Sequence, residues 1–203
     1  MRELTVKIYE FSELSEKARR KAWENGPDLS GDYSDEYNAT LAKFEDIFNI
    51  KVYQWDVGGC YRYYYKYVTA GRADDCPEGD ALRIARYIWN NYAEYILKGR
   101  YYSTQGRYID GKYNYKCRYS KVTKTMDNCP LTGVIMDYDI LQPVIDCLHY
   151  KRFFNNYREL IDACLDSFFR AWESEIEYLS SMEHFAEIAE CNGWEFYETG
   201  EMV

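Results

Sequence analysis

The chain has 203 residues, 47% of them hydrophobic and 18% aromatic, and a formal net charge of −9. That apolar content supports a packed core and excludes a disordered chain, and the length fits one domain. No apolar run approaches the roughly 20 residues of a membrane helix, and the charged start MRELTVKIYEF lacks the apolar stretch of a signal peptide, so the expected location is the cytoplasm.

Glu3 to Glu10 alternates, with Leu4, Val6 and Ile8 on one side, which predicts a half-buried strand. Ser12 or Ser15 then caps a short helix whose Leu14, Ala18 and Ala22 recur every four residues, and Gly26-Pro27 stops it. Ser34 caps a second helix with Tyr37, Leu41, Phe44 and Phe48 on its apolar face and Asn49 at its end. Ile50 to Val57 and Tyr61 to Val68 alternate about Gly58-Gly59 and predict a β-hairpin. In its first strand Ile50, Val52 and Gln54 oppose Tyr53, Trp55 and Val57; in its second Tyr61, Tyr63, Tyr65 and Tyr67 oppose Arg62, Tyr64 and Lys66.

A third helix is expected from about Asp80 to Lys98, on a stripe of Ala81, Ala85, Ile88, Trp89, Tyr92 and Ile96. Arg100 to Val122 is a second hairpin turning at Asp110-Gly111, which pairs Tyr108 with Tyr113 and Arg107 with Asn114. After a CPLTG turn at Cys129 to Gly133, Asp137 or Asp139 caps a helix with Pro143 in or near its first turn. The longest apolar stripe follows: Ile161, Leu165, Phe168, Trp172, Ile176 and Leu179 step along one helix face, with Asp162, Asp166, Arg170, Glu173 and Glu177 opposite. From Tyr157 to Ser180 that helix is roughly 36 Å long. Ser181 starts a short helix, and Trp194 to Tyr197 forms a final strand or tail.

These elements predict an α+β fold, antiparallel hairpins with five to six helices around one core, with the long C-terminal helix at its centre. Residues 1–203 read as a single domain, with the tyrosine-rich hairpin 100–122 as a candidate protruding subdomain.

Chemistry is sparse. His149 and His184 show no metal-ligand spacing, and Asp137-Tyr138-Asp139 is better explained by helix capping than by a cation. The seven cysteines are odd in number and contain no CxxC, which predicts reduced, partly buried thiols. No catalytic residue, metal site or cofactor motif emerges. Charge is unevenly spread: residues 153–203 hold two basic and twelve acidic residues, and residues 100–126 hold seven basic and one acidic. Tyrosine is abundant at 23 residues, and suits sheet packing first, a protein interface second and base stacking third.

The opening VKIYEFSELSEKARRKAWENG, the pieces DNCPLTG and D-x-D-I-L-x-P at Asp127 to Pro143, and the ending from Tyr178 through Phe196 resemble a family of small uncharacterised bacteriophage and prophage accessory proteins. The resemblance is patchy but reaches both ends, and its motifs are structural. It implies a phage accessory role, such as blocking host machinery or a defence effector of the CRISPR kind.

The function expected is a non-enzymatic phage protein that binds and inhibits a host protein, a nucleic-acid-handling defence effector, with Asp162, Asp166, Glu173 and Glu177 as the contact face. Acidic helix faces fit basic channels built for phosphate backbones. The alternative is a nucleotide or nucleic-acid binder in which Arg107, Lys112, Lys116 and Arg118 hold phosphate and Tyr113 and Tyr115 stack bases.

Overall fold

The computed structural model describes residues 6–29, 31, 33–59, 62–69, 83–88, 107–109, 112–114, 131–132, 136–150 and 154–203. In chain order the named elements are β1 (Ile8–Glu10), α1 (Glu16–Asn25), α2 (Ser34–Phe48), β2 (Ile50–Gly59), β3 (Arg62–Thr69), β4 (Arg107–Ile109), β5 (Lys112–Asn114), α3 (Met136–Tyr150), α4 (Tyr157–Leu179), α5 (Met182–Cys191) and β6 (Glu195–Tyr197). Residues 83–88 are also helical. The class is α+β. The strands pair as antiparallel couples, β1 with β6, β2 with β3 and β4 with β5. Buried side chains among the described residues fall into two clusters rather than the one core expected. The chain correspondingly divides into a smaller unit, residues 1–32 with 174–203, and a larger unit, residues 33–173.

The smaller unit joins the two ends of the chain. Tyr9 pairs with Phe196 across β1 and β6, and Phe196 is fully buried beside Phe11, whose ring centre is 5.7 Å away. Val6 and Ile8, expected on the buried side of β1, are 52% and 47% exposed. Alternation defines two faces of a strand but not which one meets the core, and here Tyr9 packs inward. Ser15 caps α1 through the Ala18 N–H at 3.3 Å, and Ser181 caps α5 through the His184 N–H at 3.1 Å. Leu14, Ala18 and Ala22 are buried as expected. The missing side chain at Gly200 lets the C-terminal turn close on the α1 backbone: a Cβ there, at φ +83°, would lie 2.2 Å from the Ala18 carbonyl oxygen.

The larger unit is built on the first four turns of α4. Leu160, Ile161, Cys164, Leu165, Phe168, Phe169 and Trp172 are buried there. On α2 Tyr37, Leu41, Phe44 and Phe48 are buried as their spacing predicts, and Asn49 ends that helix in the left-handed region at φ 51°. Glu45, at 8% exposure, accepts from the Val52 N–H at 2.7 Å and from Lys51 at 2.6 Å, fixing the turn from α2 into β2. The β2–β3 register slips by one residue between Val52 and Gln54, which leaves Tyr53 unpaired and 60% exposed. This bulge moves the inward face from even to odd positions, so that Ile50 and Val52, then Trp55 and Val57, all join the core. Strict alternation had put them on opposite sides.

Two further expectations are corrected. Pro143 lies inside α3, past the first turn. Asp137 does not cap α3, which already begins at Met136; it is fully buried and serves a different turn, described below. The β4–β5 register matches the sequence reading at Arg107 with Asn114 and Tyr108 with Tyr113, and Ile109 pairs with Lys112. Trp89, Tyr92 and Ile96 of the third helix lie outside the described residues.

Candidate functional site

The face of α4 expected to meet a partner is largely used inside the protein. The β2–β3 hairpin lies over it. Tyr65 and Tyr63 stack on Phe169 at 5.2 and 6.3 Å, and Trp55 approaches it at 6.1 Å. The phenolic tips then reach the helix's polar side: the Tyr65 hydroxyl donates to Asp166 Oδ1 at 2.9 Å and to the Asp162 carbonyl at 3.1 Å, and the Tyr67 hydroxyl donates to Asp162 Oδ1 at 2.6 Å. Arg158 sits 5.8 Å over the Tyr67 ring, and Arg170 hydrogen-bonds Tyr63 in the field of Asp166 and Glu173.

Burial, and after it the neighbouring aspartates, hold both phenols well above the ordinary tyrosine range. Their hydroxyls donate to the helix, and the cluster is a latch between hairpin and helix.

The four residues predicted as a partner face thus do not form one open surface. Asp162 and Asp166 are half-buried and engaged by tyrosines. Glu173, expected to face solvent, is buried at 8% exposure. Glu177 alone of the four is exposed. The apolar stripe also changes character past Trp172, since Ile176 is 36% exposed. A binary polar–apolar reading counts tyrosine as core and aspartate as surface, and so misses a tyrosine roof whose hydroxyls bond the aspartates.

A second polar cluster is structural as well. Asp137 Oδ2 accepts from the N–H groups of Leu131 and Thr132 at 2.8 and 2.6 Å. Its Oδ1 accepts from the Thr132 and Thr40 hydroxyls at 2.7 and 3.0 Å. One carboxylate thereby ties Leu131 and Thr132 to α2 and α3. Among the described residues no group of three or more His, Cys, Asp or Glu converges as a metal site. Cys147 and Cys164 are buried free thiols; burial raises Cys147 to about 11 and Cys164 well above the usual value, so neither offers a thiolate near neutral pH. Cys191 is free and exposed.

Of the alternative phosphate site, Arg107, Lys112 and Tyr113 lie on β4 and β5, while Tyr115, Lys116 and Arg118 lie outside the described residues.

Among the described residues the exposed acidity is concentrated in the smaller unit. Residues 174–203 contain eight glutamates and no lysine or arginine. Seven of them, Glu177, Glu183, Glu187, Glu190, Glu195, Glu198 and Glu201, are exposed. Glu183, Glu187 and Glu190 step by four and three along α5, one side of the helix. Tyr178, 37% exposed, donates to Glu187 at 2.6 Å, packs on His184 at 5.1 Å, and has its phenol raised first by that bond and then by burial and the charges of Glu187, Glu183 and Glu175.

The smaller unit also holds a cavity of about 300 Å3, lined by Trp23, Glu24, Asp28, Leu179, Ser181 and Phe185 among others. No described helix is long and apolar enough to cross a membrane. Comparisons with protein-family models, with curated proteins and with solved structures found no match.

Proposed function

We propose that the protein acts by binding rather than by catalysis, as a phage-encoded inhibitor in the host cytoplasm of a nucleic-acid-handling defence protein of the CRISPR-effector kind. The carrying observation is the run of exposed glutamates in residues 174–203, uninterrupted by any lysine or arginine. Such a surface presents negative charge at spacings a basic, phosphate-binding channel can accept. The proposed contact face is Glu183, Glu187 and Glu190 of α5 together with Glu177, and not the hairpin-covered part of α4.

The test is capture of host proteins on the immobilised chain, against a Glu183→Gln, Glu187→Gln, Glu190→Gln variant. The expected result is a nucleic-acid-binding protein that is retained at low salt, weakened at moderate salt, and lost with the variant. Equal capture by both chains would end this reading.

A second reading rests on the outer side of the β2–β3 hairpin. There Tyr53 and Tyr64 are 60% and 39% exposed, among the exposed Lys51, Arg62 and Lys66. Exposed rings among cations suit single-stranded nucleic acid. Polarisation titration with a labelled oligonucleotide checks it; no binding at low salt removes it.

A further inference from the structure

The sheet that joins the two ends of the chain has an open edge. Phe196 bridges Met202 as well as pairing with Tyr9. Around that bridge the Tyr197 N–H donates to the Glu201 carbonyl at 2.8 Å, and the Val203 N–H to the Glu195 carbonyl at 3.0 Å. Glu195 and Tyr197 therefore turn their backbone groups away from β1. Phe196 turns its own toward β1, because successive residues of a strand point N–H and C=O to opposite sides. Tyr9 is then the β1 residue that bonds β6, while Ile8 and Glu10 point outward. The Glu10 N–H agrees, since it bonds Glu13 Oε2 at 2.9 Å, outside the sheet. Among the described residues no other strand pairs with β1, so the Ile8 N–H and C=O lie on an edge.

Such edges are commonly guarded by an outward charge or a proline. Here the side chains at and before Ile8 on the outer face are apolar: Val6 is 52% exposed, Ile8 is 47% exposed, and Tyr197, opposite Ile8, is 36% exposed. Just past this row Glu10 and Glu195 face each other across the strands, both exposed. Like charges in that position repel. Glu10 also accepts the Glu13 N–H, a bond that leaves its charge in place.

We infer that this edge receives an extended basic segment of the partner as an antiparallel strand. The segment pairs its backbone with Ile8, sets an apolar side chain beside Ile8, and sets a lysine or arginine beside Glu10 and Glu195. Main-chain bonds give strand addition its affinity, and the alternate side chains give it selectivity. Charge complementarity selects the occupant. The described residues of the smaller unit hold five basic residues, Lys7, Lys17, Arg19, Arg20 and Lys21, against thirteen acidic ones. Two of the five are paired already, Arg20 with Glu24 and Lys21 with Glu201. A second copy of this chain brings the same excess of acid to the edge and is repelled, whereas a basic strand is attracted. The inference rests on the binding function proposed above and adds to the α5 face a second contact.

The test is titration of the isotope-labelled intact chain with the blocked peptide Lys-Thr-Val-Thr-Val-Thr, read at the backbone amides by NMR. In antiparallel register its lysine faces Glu10 and its valines face Ile8 and Val6. The peptide should shift the Ile8 amide and slow its hydrogen exchange. The same peptide with glutamate for lysine should bind about tenfold more weakly. N-methylation of the two valines, which removes the N–H groups aimed at β1, should abolish binding; N-methylation of the threonines should not. Ile8→Pro should abolish it too, since it removes the edge N–H and no bond to β6, and an unchanged thermal melt verifies its fold. The Glu183→Gln, Glu187→Gln, Glu190→Gln variant should still bind the peptide. No shift at Ile8, equal binding of the glutamate peptide, or binding that survives valine N-methylation overturns the strand site. Host-protein capture that depends on α5 then leaves the acidic-surface function standing without it. Capture that is indifferent to α5, with the peptide results as expected, removes the α5 face and keeps the edge.

Discussion

The rings of Tyr37 and Trp172 stack with centroids 4.4 Å apart and planes 8° apart. Trp55 of the hairpin approaches the same indole at 4.7 Å. Trp172 is thus the point where α2, the β2–β3 hairpin and α4 meet in the larger unit. Trp172→Ala should cost about 3–5 kcal/mol. Ile176→Ala, one turn on and 36% exposed, should cost under about 1 kcal/mol. Thermal and urea unfolding of the two variants decide it, and similar small losses would show that the stack does not hold the unit together.

The tyrosine latch has a pH signature. A phenol raised in the folded state contributes its full stabilisation below the unfolded value of about 10, and that contribution is lost as pH rises through the folded value. Tyr65 and Tyr67 are both raised, by burial first and by the aspartates next. Stability of the wild-type chain should therefore fall above about pH 10, and Tyr65→Phe and Tyr67→Phe should flatten that fall. At pH 7 each should cost about 1–2 kcal/mol, since an aspartate oxygen loses its donor. Melting curves from pH 7 to 12 give both numbers.

Asp137 concentrates four hydrogen bonds on one buried carboxylate. Asp137→Asn replaces an oxygen acceptor with a donor that faces N–H and O–H groups. A loss of about 2–3 kcal/mol is expected, against about 1 kcal/mol for Thr40→Val, which removes one of the four bonds. Urea midpoints test the ranking; an unaffected Asp137→Asn would mean that Leu131 and Thr132 are held without it.

Gly200 combines two constraints, φ +83° and an Ala18 carbonyl oxygen 2.2 Å from where a Cβ would sit. Gly193 has only the first, at φ +62° with nothing within 4 Å. Gly193→Ala should cost about 1 kcal/mol of backbone strain. Gly200→Ala should cost more and release the C-terminal turn, which limited proteolysis would register as early cleavage near Tyr197. Equal effects at the two glycines would contradict the close approach.

The periodicities of the sequence determined which helices form and the caps of two of them; Ser34, expected to cap α2, is instead its first residue, with Tyr33 at the N-cap and no side-chain cap bond there. Tyr37, Leu41, Phe44 and Phe48 lie on one buried face because steps of four, three and four put them on one side of a helix. Ser15 and Ser181 cap because their side chains accept the orphan N–H groups of the first turn. Local turn chemistry likewise determined the Arg107–Asn114 register. What only the tertiary structure decided is which surfaces are covered. Period alone could not say that Tyr9 rather than Ile8 faces the core, nor that one extra residue at Tyr53 would turn Trp55 inward. It could not show that the polar side of α4 lies beneath tyrosines whose rings bury and whose hydroxyls bond Asp162 and Asp166. Coverage depends on contacts between residues some 95 to 101 apart, and a local pattern carries no information about them. The acidic run of residues 174–203 was legible as charge, but its exposure on α5, and the cavity beside Trp23, appear only once the chain ends are brought together.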